Sequence, residues 1–339
     1  MRAHAFRRGT ALAAAALVAL AATACGSDTA SQGVGSAEQA TTGEAFPATI
    51  EHAYGTTTID RAPARVVSVG YSDQDPMLAL GVTPVAVREW FGEQPDATWP
   101  WAQDELGAAD PEVLDVAELN FERIAGLRPD VIVGVSSGMT DDEYKRLSLI
   151  APTIARPKEH PDYGVPWQEQ TRVIGRALGK QAGADELVAR IEARFATARQ
   201  EHQAFEKAKV IVVRPSTEPG QFFVFGPDDS RSRFMTALGF SIPDEVATLA
   251  GDSFTATISA EQLELLNTAD VVVWNVDSPA DRAAVETNPI YGQLEIRRAG
   301  RDLFLDEQTN AALSFSSVLS LPAALDTLVP QLAEKVASR

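Results

Sequence analysis

The feature that most constrains this chain is a pattern that occurs twice. Residues 120–137 read NFERIAGLRPDVIVGVSS, and residues 259–278 read SAEQLELLNTADVVVWNVDS. Each copy opens on a residue suited to cap a helix, Asn120 or Ser259, and carries a glutamate two positions later. Each then runs through a short apolar helix into an aspartate and a β-branched strand. Glu122 lies eight residues before Asp130, and Glu261 nine before Asp270. Two such units predict two similar α/β halves; the alternative is two unrelated elements that share a common pattern. Between them, residues 161–179 place Trp167, Val173, Ile174, Ala177 and Leu178 at the spacing of one helical face. Pro166 suits a first helical turn and Gly179 a left-handed close, so a helix over 162–180 is expected to join the halves.

At 339 residues the chain has room for two domains, each with its own core. Its formal net charge of −18 is the wrong sign for gripping phosphate backbones, so nucleic acid is excluded as a partner. The N-terminus reads as an export signal over 1–24: Arg2, Arg7 and Arg8 precede an apolar run over 11–22 that is short for a bilayer span. Small residues then lead into Cys25, the single cysteine of the chain, so no internal disulfide can form. Residues 25–45 are rich in Gly, Ser, Thr, Gln and Ala, a composition suited to a tether.

Further along, 46–60 reads as a β-hairpin turning at Tyr54 and Gly55. Strands are expected over 65–70, 83–88, 131–135 and 153–155, with helices over 74–80, 121–127 and 141–150. This alternation predicts a largely parallel sheet in a lobe spanning 46–161. In the second lobe, 181–339, a helical stripe over 184–205 precedes strands over 209–214, 222–225, 271–276 and 302–306. Helices are expected over 233–238 and 316–336, and no transmembrane helix after the signal.

Catalytic signatures are thin. The chain has no phosphate loop and no dinucleotide fingerprint. His52, His160 and His202 are widely separated, which argues against a resident metal centre. In open α/β sheets ligands bind beyond the carboxyl ends of strands. Those ends carry Tyr71 and Ser72, Trp90 and Phe91, Ser136 and Ser137, Arg214, and Trp274 with Asn275. Aromatic walls with hydroxyl and amide groups and one guanidinium suit a bulky, oxygen-rich ligand of negative character. Arg214, straight after an apolar strand, meets either a ligand anion or a neighbouring carboxylate. Trp90 and Trp274 fit ligand contact or packing equally, and Trp99 and Trp101 fit packing better. Glu122 and Glu261 read alone as carboxylates favoured by helix dipoles.

Taken together, the motifs resemble those of iron-siderophore substrate-binding lipoproteins of ABC importers. The residues that carry this are YGTTTI at 54–59, RVVSV at 65–69, ALGVTPV at 79–85, NFERIAGLRPD at 120–130, IAPT at 150–153 and ISAEQL at 258–263. They cover most of 46–336 in the family's order, and the Ala-rich signal is most like actinobacterial members. The resemblance implies an α/β fold of the class III periplasmic-binding-protein type, two lobes with mostly parallel sheets joined by one long interdomain helix. It implies a monomer with no intrinsic cofactor and no catalysis, whose ligand is a ferric siderophore with the iron already chelated. It implies lipidation at Cys25, hence a place on the outer face of the cell membrane, and Glu122 and Glu261 docked on the ABC permease. Ligand contacts fall to Arg214, Trp90, Trp274, Tyr71, Ser136, Ser137 and Asn275. Haem or cobalamin on the same scaffold is the rival reading, with Tyr71 or Tyr163 available to haem iron; a secreted siderophore esterase is the remote one.

Overall fold

The computed structural model describes residues 45–338. The expected signal, Cys25 and the tether fall outside the described residues.

Twelve strands are described: β1 (Ala48–His52), β2 (Gly55–Ile59), β3 (Val66–Ser68), β4 (Ala86–Arg88), β5 (Glu112–Leu114), β6 (Val131–Gly134), β7 (Thr153–Ala155), β8 (Val210–Pro215), β9 (Gln221–Phe225), β10 (Thr255–Ser259), β11 (Val271–Trp274) and β12 (Asp302–Phe304). β1 and β2 form the expected hairpin. The first sheet has the order β5-β4-β3-β6-β7, all parallel. All but its edge strand β5 are short runs buried on both faces, as a parallel sheet between helical layers requires. One face carries Val66, Val131 and Ile154 against the helix Trp167–Ala177; the other carries Val67, Ile132 and Leu114 beneath Phe121–Gly126 and Asp141–Ser148.

The second sheet has the order β10-β9-β8-β11-β12. β8, β11 and β12 are parallel, whereas β9 runs antiparallel to both its neighbours, so this sheet is mixed at one edge. Val210, Val212, Val271 and Val273 face a core shared with the helices Gln181–Glu201, Ser230–Ala237 and Ser320–Ala337. Ile211, Val213, Val272 and Trp274 face the opposite core.

The expected joining helix is Trp167–Ala177, and a second helix follows it where the apolar stripe over 184–205 placed one. Trp167–Ala177 ends at Gly179, whose φ of +66° opens a left-handed turn. Lys180 N donates to Gly175 O at 2.7 Å and Gly179 N to Arg176 O at 3.1 Å, the paired bonds of a Schellman close. The 21-residue helix Gln181–Glu201 follows and carries Ile191, Phe195 and Ala198 into the second core. The two helices cross tightly because residue 175 is glycine: a Cβ there would lie 2.4 Å from Ala184 Cβ. The helix expected over 316–336 is Ser320–Ala337, and a further helix that was not expected, Glu307–Phe315, precedes it, with Ser316 left-handed between them at φ 43°. No helix among the described residues is long and apolar enough to cross a membrane.

Candidate functional site

The two halves share a cavity of about 790 Å³, within the range that encloses small ligands. Tyr71 and Ser72 follow β3, Trp90 follows β4 and Ser136 follows β6, and all four line it. β3 and β6 are the neighbours at which the strand order reverses, so the chain leaves them in opposite directions and opens a crevice at their carboxyl ends. Asp73, fully buried, organises the floor. It accepts from Ser136 Oγ at 2.8 Å, Ser136 N at 3.1 Å and Gln170 Nε2 at 2.7 Å. Gln170 Nε2 also donates to Ser72 Oγ at 3.0 Å, which ties the joining helix to the floor. Burial pushes the Asp73 carboxyl above its ordinary range, and these hydrogen bonds oppose the shift. Gly70 makes the arrangement possible, since a Cβ there would lie 2.0 Å from Asp73 Oδ2.

One wall is aromatic. The Tyr71 ring stacks between Trp90 at 5.6 Å and Tyr163 at 6.1 Å, with interplanar angles of 27° and 25°. The buried Arg88 guanidinium lies 4.6 Å from the Tyr71 ring centre, and its Nη2 donates to Val116 O at 2.8 Å. Tyr163 sits at φ +63°, an unusual backbone for an aromatic residue, with its hydroxyl 2.1 Å from where a Cβ on Gly138 would stand. Phe195, Phe234, Phe254 and Phe315 contribute apolar surface from beyond the joining segment.

The cations lining the cavity come from the start of the helix Ser230–Ala237. Asp229 caps that helix by accepting from Arg231 N at 2.8 Å. The Arg231 guanidinium pairs with Asp229 at 3.3 Å, donates to Ser314 Oγ at 2.7 Å and lies 4.5 Å from the Phe225 ring centre. Its Nε is buried without a partner. Arg233 Nη1 donates to Gly164 O at 2.9 Å, and Nη2 approaches Asp228 at 3.7 Å.

Of the seven side chains expected at the ligand, Tyr71, Trp90 and Ser136 line the cavity. The other four do not. Arg214 pairs with Asp277 at 3.1 Å, the alternative left open by its strand-end position. Trp274 is fully buried in the second core, donating to Tyr291 Oη at 2.9 Å and stacking on Phe304. Asn275 is buried beside it with its Nδ2 unpartnered, and Ser137 is buried with its hydroxyl donating to Gly134 O at 2.8 Å. Trp99 and Trp101 stack on each other and pack against Phe315. Arg231, Arg233 and Gln170 were absent from the expected set. The signal for the arginines was Asp229 preceding a basic helix start, whereas Gln170 lay on the expected joining helix with nothing to mark it. Glu122 and Glu261 are exposed in the first turns of their helices, and the Ser259 hydroxyl holds the Glu261 carboxyl below its ordinary pKa. No group of three or more His, Cys, Asp or Glu able to hold a metal occurs among the described residues.

The sequence pattern of one protein family, described as periplasmic binding protein, matches residues 66–309. The chain is 28% identical over 232 residues to the probable siderophore-binding lipoprotein YfiY of Bacillus subtilis, covering 67% of this chain and 68% of that one. A solved periplasmic solute binding protein from Mycobacterium smegmatis superposes with a TM-score of 0.79 at 36% identity, covering 85% and 98% of the two chains. PiaA of Streptococcus pneumoniae, solved in complex with ferrichrome, gives 0.73 at 26% identity, covering 86% and 99%. The matched region runs from the first residue of β3 through both sheets into the helix Glu307–Phe315, and the chain belongs to the periplasmic binding protein family.

Proposed function

We propose that this chain is a lipid-anchored extracytoplasmic receptor that holds a ferric siderophore in the cavity and hands it to an ABC permease. The observation that carries this reading is the cavity itself: about 790 Å³, lined from both halves, with a stacked aromatic wall facing Arg231 and Arg233. That surface suits a bulky ligand with an apolar periphery and exposed oxygens, held by stacking and charge-assisted hydrogen bonds. The names of relatives support it: YfiY is described as siderophore-binding and PiaA was solved with ferrichrome. In this reading residues 1–24 are removed, Cys25 carries the lipid, and 25–45 tether the body to the membrane. Iron arrives already chelated, so the protein supplies shape and polarity and no covalent step.

Trp90 and Trp167 line the cavity, so intrinsic fluorescence reports on its contents. Saturable one-to-one quenching by ferrichrome, with a weak response to its iron-free form and to hemin, is the expected result. Saturation by hemin alone would move the reading to haem capture.

A further inference from the structure

The charge around the cavity is close to balanced, and this selects among iron chelates. Three guanidiniums stand at or behind the wall. Arg231, its side chain 13% exposed, faces Asp229, 11% exposed, at 3.3 Å. Arg233 faces Asp228 at 3.7 Å and spends Nη1 on Gly164 O. Arg88 lies behind the Tyr71 ring, which separates it from the cavity. Three carboxylates oppose them: Asp228, Asp229 and, beneath the floor, Asp73. The three cations and three carboxylates leave no surplus of positive charge, in a chain whose formal net charge is −18. The remaining polar lining groups are neutral hydroxyls and amides, among them Ser72, Ser136, Gln170 and Ser314.

Iron(III) bound by three singly charged hydroxamates is neutral; bound by three doubly charged catecholates it is a trianion. Removing a trianion from water is costly unless cations meet it, and the acidic surface opposes its approach. A neutral chelate pays neither penalty. We infer that the cavity takes a neutral ferric tris-hydroxamate and rejects a ferric tris-catecholate, with Asp229 as the residue that sets this preference by neutralising Arg231. The inference rests on the receptor reading above and adds the chelate class. Asp229 discriminates by repulsion as well as by pairing, the usual construction of a selective site.

Asp229→Asn isolates the charge, because asparagine caps a helix as well as aspartate does. The test titrates wild type and variant with ferrichrome and with ferric enterobactin, a tris-catecholate, following tryptophan quenching at two salt concentrations. Wild type is expected to prefer ferrichrome by roughly a hundredfold or more, and Asp229→Asn to shift the ratio of affinities toward the trianion by roughly tenfold, less at high salt. Wild type binding ferric enterobactin as tightly as ferrichrome, or an unshifted ratio in the variant, overturns the chelate class and leaves the receptor reading standing. Binding of neither chelate overturns both.

Discussion

Asp75 shows what a single buried carboxyl does between the two halves. It belongs to the helix Gln74–Ala79 and accepts from Trp101 Nε1 at 2.9 Å and from Ser317 Oγ, beyond the joining segment. Its causes of shift include no cation, and burial pushes its pKa up to about 6. The unfolded chain ionises this group near its ordinary value of 3.8, so between there and about 6 the folded state holds the proton that the unfolded state has lost. Stability must then fall as pH rises through that window, by up to about 3 kcal/mol. Asp73 is shifted in the same direction, so the wild-type curve contains both groups. Asp75→Asn, which keeps an acceptor and removes the charge, is expected to flatten the fall in melting temperature between about pH 4 and pH 6. Equal slopes in variant and wild type would refute the assignment. The same scale shows where sequence reading ran out. A charge at the end of β8 read first as a ligand contact and second as an ion pair, and what decides it is Asp277, which only the fold brings near. Trp274 was legible after all. Along β11, Val271 and Val273 face one core, Val272 and Trp274 the other, and strict alternation places the tryptophan with Val272 inside.

The elements were read well where pattern and punctuation agreed. The hairpin at β1 and β2, four of the first sheet's five parallel strands and the repeated helix-to-strand units lie where apolar runs and caps placed them, whereas the edge strand β5 was missed. The mixed edge of the second sheet was missed, although β10 carries an alternating burial that suits an edge strand with one face toward water. The helix Glu307–Phe315 and the left-handed turn at Ser316 that ends it were missed too, because nothing local forces that turn. Its reward is tertiary: Phe315 and Ser316 reach the cavity, and Ser317 meets Asp75 while accepting from Ser320 N at 3.0 Å. Gly175 is the sharpest element-level constraint. The helix Trp167–Ala177 packs into the first core and Gln181–Glu201 into the second, so their crossing fixes how the halves meet. Gly175→Val drives methyl groups into Ala184 and should cost about 1–3 kcal/mol. Because Gln170 and Trp167 ride on the displaced helix and line the cavity, ferrichrome affinity should fall as well. A variant with wild-type melting temperature would show that the crossing has slack.

At the scale of the whole molecule, an aromatic cluster beside the cavity joins the halves. Four aromatic side chains of the first half, Trp90, Phe91, Trp99 and Trp101, pack on Phe315 of the second, and Asp75 bonds Ser317 beside them. Burying Phe315 there is worth about 1.5–3 kcal/mol, and the cluster opposes wide opening. On the receptor proposal, a body that moves little on loading must present its partner with a surface that exists before the ligand arrives. Glu122 and Glu261, one exposed carboxylate on each half, are the proposed docking residues. Neither is needed to cap its helix: Asn120 Oδ1 accepts from Arg123 N at 2.9 Å, and Ser259 forms a capping box with Gln262. Removing both glutamates therefore leaves the folded body and its cavity intact while deleting two charges that arginines of a permease can grip bidentately. Glu122→Ala combined with Glu261→Ala is expected to bind ferrichrome with wild-type affinity and to lose most radioiron uptake in cells, each single variant falling between. Full uptake by the double variant would show that docking runs through other residues, and lost affinity would place the glutamates in the fold rather than at the partner.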